Sequence, residues 1–86
     1  MNNEIIINLF DIYSSISNTT AKLSDIEQYT EKAKNIAGQG NIIILTGQAP
    51  VWLYLKIAHA MHGHVKTLIY DSPVTGHVVI FNHNPF

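Results

Sequence analysis

Apolar residues change their spacing repeatedly along this chain, and each change marks an element. Residues 4–9, Glu-Ile-Ile-Ile-Asn-Leu, form a β-branched run that predicts a strand, with an extension toward Tyr13. The polar stretch from Ser14 to Thr20 predicts a loop. From Ser24 the spacing becomes helical: Ile26, Tyr29, Ala33 and Ile36 recur at steps of three and four, which puts them on one apolar stripe. Ser24 and Glu27 have the spacing of a capping box at its start. Asp25, Glu27 and Glu31 precede Lys32 and Lys34, the order that complements a helix dipole, and Gly38 and Gly40 end the helix. Asn41 to Leu45 is a continuous Ile-rich run of the kind buried on both faces of a sheet. Thr46-Gly47-Gln48-Ala49-Pro50 is a turn, and Pro50 suits the first position of a second helix that runs to His62 and stops at Gly63. Residues 65–70 predict a third strand, Ser72 to Gly76 a turn, and His77 to Asn82 a fourth strand.

The predicted order is β-α-β-α-β-β. Alternation of strands and helices implies parallel pairing of the first three strands, and the short last turn adds a C-terminal antiparallel hairpin. The expectation is one domain over residues 1–86, a small α/β sandwich of Rossmann-like character with a mixed sheet. Composition adds a partner. Hydrophobic residues make up 47% of the chain and charged residues only 13%, so a domain this small has more apolar surface than its own core can hide, and we expect a homo-oligomer.

Charge and cysteine content narrow the chemistry. The formal charge is −1, with five lysines and no arginine, so the electrostatic footprint of a duplex DNA binder is missing. Any phosphate must be held by backbone amides, a helix N-terminus, Lys, His or a metal. The absence of cysteine excludes disulfides and thiolate zinc sites. Glu4 precedes the first apolar run where a secretory leader would be basic, and no apolar run approaches a membrane span. A cytoplasmic protein with no membrane partner is the expectation.

Candidate chemistry falls at two places. The strand–turn–helix unit at 41–62 presents free amides and a helix N-terminus around Thr46–Pro50, an arrangement that accepts anions, although any such turn wants a glycine for its own sake. At the far end of the same helix lie His59 and His62, three apart on one face, with His64 just beyond Gly63. Imidazoles so placed suit metal ligation or proton transfer, and histidines near a helix C-terminus are also favourable there with no ligand at all. Asp71 ends an apolar strand, where open α/β sheets place their ligands, or else caps the hairpin turn at Ser72-Pro73. His83 follows the last strand. A crossover helix runs antiparallel to its strands, so Asp71 belongs near Thr46–Pro50, and His62, His64 and His83 belong at the opposite edge. Those edges are a helix length apart and meet only if subunits stack.

Thr46-Gly47-Gln48-Ala49-Pro50-Val51-Trp52-Leu53, then Ile57-Ala58-His59-Ala60-Met61-His62, then Ile69-Tyr70-Asp71 occur in one collinear order. Over about Asn41 to His83 this resembles the Csx-three family of type III CRISPR-associated ring nucleases, which are related to the Rossmann-like CARF domains that sense cyclic oligoadenylates. The resemblance implies manganese-dependent cleavage of cyclic tetra-adenylate. It also implies homodimers, two of which sandwich the ring in a head-to-tail tetramer or filament. Carried to this chain, His62 and Asp71 form the catalytic pair, contributed by different dimers, and His83 is an accessory, metal-side residue. Thr46, Gly47, Gln48, Ala49, Pro50 and Trp52 belong to the ligand surface. His59, His62, Asp71 and His83 are the candidate ligands of Mn²⁺. The family's turn commonly reads glycine-arginine-glycine-proline; Gln48 and Ala49 depart from it and remove a charged phosphate contact. A sponge or sensor that binds cyclic oligoadenylate without cutting it is the alternative.

Overall fold

The computed structural model describes residues 3–83. Strand β1 (Glu4–Asn8) leads straight into helix α1 (Leu9–Ser17). After one 3₁₀ turn at Leu23–Asp25 come α2 (Ile26–Ala37), β2 (Ile42–Thr46), α3 (Val51–Met61), β3 (Thr67–Ser72) and β4 (Gly76–Asn82). The sheet order is β1-β2-β3-β4. The first three strands are parallel and β4 returns antiparallel to β3, as the alternation implied. The architecture is a small α/β domain with a mixed four-stranded sheet.

One helix was not expected. Residues 9–13 are not an extension of the first strand, and Ser14–Ser17 are not loop. Together they form α1, which buries Leu9, Ile12, Tyr13 and Ser17. The Asn8 side chain caps it, accepting from the Asp11 N–H at 3.3 Å. The serine hydroxyls at 14 and 15 donate to carbonyls three residues back, so they fold onto the helix instead of competing with it. The order is therefore β-α-α-β-α-β-β.

The start of α2 also differs. Its N-cap is Asp25, which makes no side-chain capping bond, and Ser24 sits inside the 3₁₀ turn. The Asp25 carboxylate instead accepts from the Ser17 hydroxyl at 2.6 Å. Ser17 is also bonded to the Tyr29 hydroxyl, which in turn accepts from the Lys22 N–H at 2.9 Å. Tying α1 to α2 thus takes up the carboxylate of the actual N-cap, Asp25, while Ser24 and Glu27 stand outside that network. The buried stripe of α2 is Tyr29, Ala33 and Ala37, and Ile36 faces outward.

All three helices pack on one face of the sheet. Ile7, Ile43, Leu45 and Leu68 share a single core with Leu9, Ile12, Tyr29, Leu53, Ile57 and Met61. Leu53, Ile57 and Met61 are fully buried at helical spacing; at about 1.5–3 kcal/mol per buried side chain they fix α3 against β2 and β3. Ile44 points to the other face, between its register partners Ile6 and Ile69, which explains why β2 reads as an unbroken apolar run. α3 starts one residue later than expected: Pro50 is its N-cap, and the Pro50 carbonyl accepts from Leu53 and Tyr54. No helix among the described residues is long and apolar enough to cross a membrane.

Candidate functional site

The β2–α3 turn lies at the carboxyl edge of the parallel strands and forms one wall of a cleft of about 500 Å³. Thr46, Gly47, Gln48 and Ala49 line it with Tyr54, Tyr70, Asp71 and Pro73. Gly47 adopts φ 102, and a Cβ there would collide with the Asn8 side chain and crowd the Leu9 amide. The turn is thus packed onto the cap of α1, and glycine alone permits that approach. Tyr54, in the first turn of α3, reaches back and donates its hydroxyl to the Gly47 carbonyl at 2.5 Å. Its ring meets that of Tyr70 edge to face, 5.1 Å between centroids. Burial pushes the Tyr54 hydroxyl up to about 12, with Tyr70 and Asp71 adding to the shift. It therefore serves as a fixed donor at neutral pH, not as a base. Pro50 caps α3 beside the cleft, and Trp52 packs against the core instead of lining the cleft.

Asp71 sits on the opposite wall. The hairpin turn is held by the Ser72 hydroxyl, which accepts from the Val74 and Thr75 amides at 3.1 and 3.2 Å. The hairpin therefore does not need Asp71 as its cap. Asp71 is paired across the strands with His77, Nε2 to Oδ1 3.9 Å. Neither Tyr54 nor His77 was singled out by the sequence reading, yet both left a signal. Helical side chains lean toward the N-terminus, so an aromatic residue four positions after Pro50 can reach the preceding turn. A hairpin centred on residues 73–75 places 71 opposite 77.

The histidine cluster disperses over the other edge. His59 is exposed in the last turn of α3, and its carbonyl accepts from the His62 N–H at 3.2 Å. His62 turns its ring to Phe81 and His83, with centroids 5.3 and 4.7 Å away. His83 is held next to β3 through its N–H, bonded to the Lys66 carbonyl at 2.8 Å. His64 lies apart, its Nε2 3.4 Å from the Lys34 carbonyl. A shallow groove of about 520 Å³ runs between these groups, lined by Gln39, Gly40, Gly63, His64, Val65, Lys66 and His83.

The two edges stay separate. From His77 to His83 along β4 is roughly 20 Å at ~3.3 Å per residue, so His62 and Asp71 do not meet within a subunit. Among the described residues no three His, Asp or Glu side chains stand together as a metal group. The donors come as pairs, Asp71 with His77 and His62 with His83. A hard divalent ion accepts so few protein ligands where water and phosphate oxygens supply the rest, so the pairs fit such an ion only with a bound phosphate or a second subunit. His59 joins neither pair.

A small mixed-sheet α/β domain, with a βα-turn cleft on one sheet edge and imidazoles on the other, is the class that fold and site define. The family model of the CRISPR-associated protein Cas_csx3 matches residues 19–86, and the chain belongs to that family. The match reaches back through α2, well before the residue 41–83 motifs that carried the resemblance. No curated protein and no solved structure matches the chain significantly.

Proposed function

We propose that this chain is a metal-dependent ring nuclease, a CARF-related phosphodiesterase of Rossmann-like descent. It would bind and cleave cyclic tetra-adenylate and so switch off type III CRISPR signalling. The observation that carries the reading is the cleft itself. The Thr46–Ala49 turn before α3, Tyr54, Tyr70 and Asp71 line one space. Backbone amides at a helix start accept phosphate oxygens, Tyr54 and Tyr70 offer faces for adenine, and Asp71 stands beside them. Membership of the CRISPR-associated family supplies the biological setting.

Cleavage needs a nucleophile deprotonated and the leaving 5′-oxygen protonated. If the neighbouring ribose 2′-hydroxyl attacks, the products carry a cyclic phosphate; if water attacks, they carry an open one. In this reading Asp71 and His62, from stacked subunits, handle or position those protons. With no arginine in the chain, phosphate charge is met by turn amides and by Lys66, which lines the histidine-edge groove. A divalent ion such as Mn²⁺, held by Asp71 on one subunit and by His62 and His83 on the next, would offset the remaining charge.

The exposed Gln48, with Ala49 beside it, favours the second reading, a sponge that binds without cutting. Incubation with cyclic tetra-adenylate and Mn²⁺, followed by chromatography, separates the two. We expect linear products; intact ring bound at protein stoichiometry would establish the sponge instead. Loss of turnover in His62→Ala and in Asp71→Ala, with partial recovery on mixing the two, is the expected signature of a site shared between subunits.

A further inference from the structure

The geometry points to His77 as a third residue of the site: Asp71 and His77 act as one carboxylate–imidazole pair within a subunit, facing a phosphodiester held over the Thr46–Ala49 turn. This rests on the ring-nuclease reading and says which half of the site each subunit completes by itself.

The pairing is set by the hairpin. Ser72 holds the tip with two amide bonds, Gly76 takes φ 77 to start the return strand, and the register then puts His77 directly opposite Asp71. Residues directly opposite in a sheet project from the same face, with their Cβ atoms about 5 Å apart. Nε2 and Oδ1 accordingly come to 3.9 Å. That separation is longer than a hydrogen bond, so both groups keep polar valences for a third party. Their side chains remain 57% and 43% exposed, and an ion pair so exposed contributes little to holding the hairpin. Asp71 lines the cleft, and the His77 imidazole stands 3.9 Å behind its carboxylate. An N–H there adds a donor beside a turn that carries no charged side chain of its own. His83 is six residues further along the same strand and belongs to the other edge, so it cannot take this role.

Turnover of cyclic tetra-adenylate with Mn²⁺ by single variants and equimolar mixtures tests the assignment. We expect His77→Ala to lose at least ten-fold in turnover with an unchanged melting temperature. His77→Gln, which keeps an N–H donor at similar reach, should recover part of it, and Val74→Ala at the hairpin tip should leave turnover intact. Mixing His62→Ala with His77→Ala should restore activity, because one chain still carries an intact Asp71–His77 pair and the other an intact His62. Mixing Asp71→Ala with His77→Ala should not, since both lesions fall in the same half. Full turnover by His77→Ala, or recovery in the Asp71→Ala plus His77→Ala mixture, overturns the proposal. A wild-type protein that leaves the ring intact overturns the nuclease reading instead. The pair is then judged from the ring-nitrogen NMR shifts of His77 and from ring affinity. Movement of those shifts in Asp71→Asn, with weaker ring binding by His77→Ala, upholds it, and the absence of either rejects it.

Discussion

Gly47 and Tyr54 together decide the shape of the cleft. At φ 102 with Asn8 against it, position 47 admits no side chain without moving the cap of α1. Gly47→Ala should therefore cost about 1–3 kcal/mol in urea unfolding, a strain typical of side chains forced into this backbone region. It should also weaken ring binding more than its loss of stability explains. Tyr54 makes a complementary prediction. Its folded value is raised to about 12 from 10, so the native state holds the phenolic proton where the unfolded chain has released it. Its contribution to stability is intact below pH 10 and is lost as pH rises toward 12. Tyr54→Phe should flatten stability against pH in that window and remove the highest phenolate step from an ultraviolet titration. The glycine turn was legible because a strand ending in Thr-Gly before a helix has few alternatives. Tyr54 was not, because a tyrosine inside an apolar helix reads as core until the direction of its side chain is followed. Trp52, expected on the ligand surface from its place in the motif, is half-buried against the core, and Tyr54 two residues on is the aromatic that lines the cleft.

Elements were easiest to read where one period ruled. The Ile-rich run of β2, the stripe of α2 and the closing hairpin each follow a single spacing, and each formed close to where the pattern put it. α1 was missed because its apolar residues, Leu9, Ile12, Tyr13 and Ile16, continue without a break from the strand before them, and its polar half is serine. A helical spacing of three and four was present there, but the β-branched and hydroxyl residues pulled the reading toward strand and loop. The start of α2 was misread for a different reason: a 3₁₀ turn over Leu23–Asp25 moves the N-cap from Ser24 to Asp25, whose carboxylate is taken by the Ser17 hydroxyl. Ser17, Asp25 and Tyr29 form one network between α1 and the start of α2, buried at Ser17 and Tyr29, so Ser17 should cost more than an exposed cap. Ser17→Ala should lower the unfolding free energy by about 1–3 kcal/mol, the penalty for a buried hydroxyl left short of a partner. Ser24→Ala should fall within about 0.5 kcal/mol of wild type, as an exposed residue does; a functioning capping box would have made it the costlier of the two.

At the scale of the molecule the sheet is wider than its helix layer. Helix α3 sits over β2 and β3, and β4 extends past it. The result is an apolar step lined by Leu45, Val51, Tyr54, Leu55, Ala58, Tyr70 and Ile80. Val51, Leu55 and Ile80 are 74%, 65% and 49% exposed, and no lining residue is charged. The step therefore presents nothing that a second copy, turned by a two-fold axis, would repel. A standard interface takes about 800 Å² from each partner, roughly one seventh of the 5420 Å² surface of this chain. The step also shares Tyr54 and Tyr70 with the cleft, so covering it with a second copy would bring two clefts side by side. Such a dimer would leave the sheet edges free to stack on a ring between dimers, which would bring His62 of one subunit toward Asp71 of another. Two separable assembly steps follow. Sedimentation of the free protein should show a dimer, and Leu55→Lys, with a charge at the centre of the step, should convert it to a folded monomer. Addition of cyclic tetra-adenylate to a cleavage-dead Asp71→Asn protein should raise the mass again, in multiples of the dimer. The same addition to Leu55→Lys should raise it only from monomer to pairs. A wild-type chain that sediments as a monomer, with or without the ring, would remove both steps and with them the shared site.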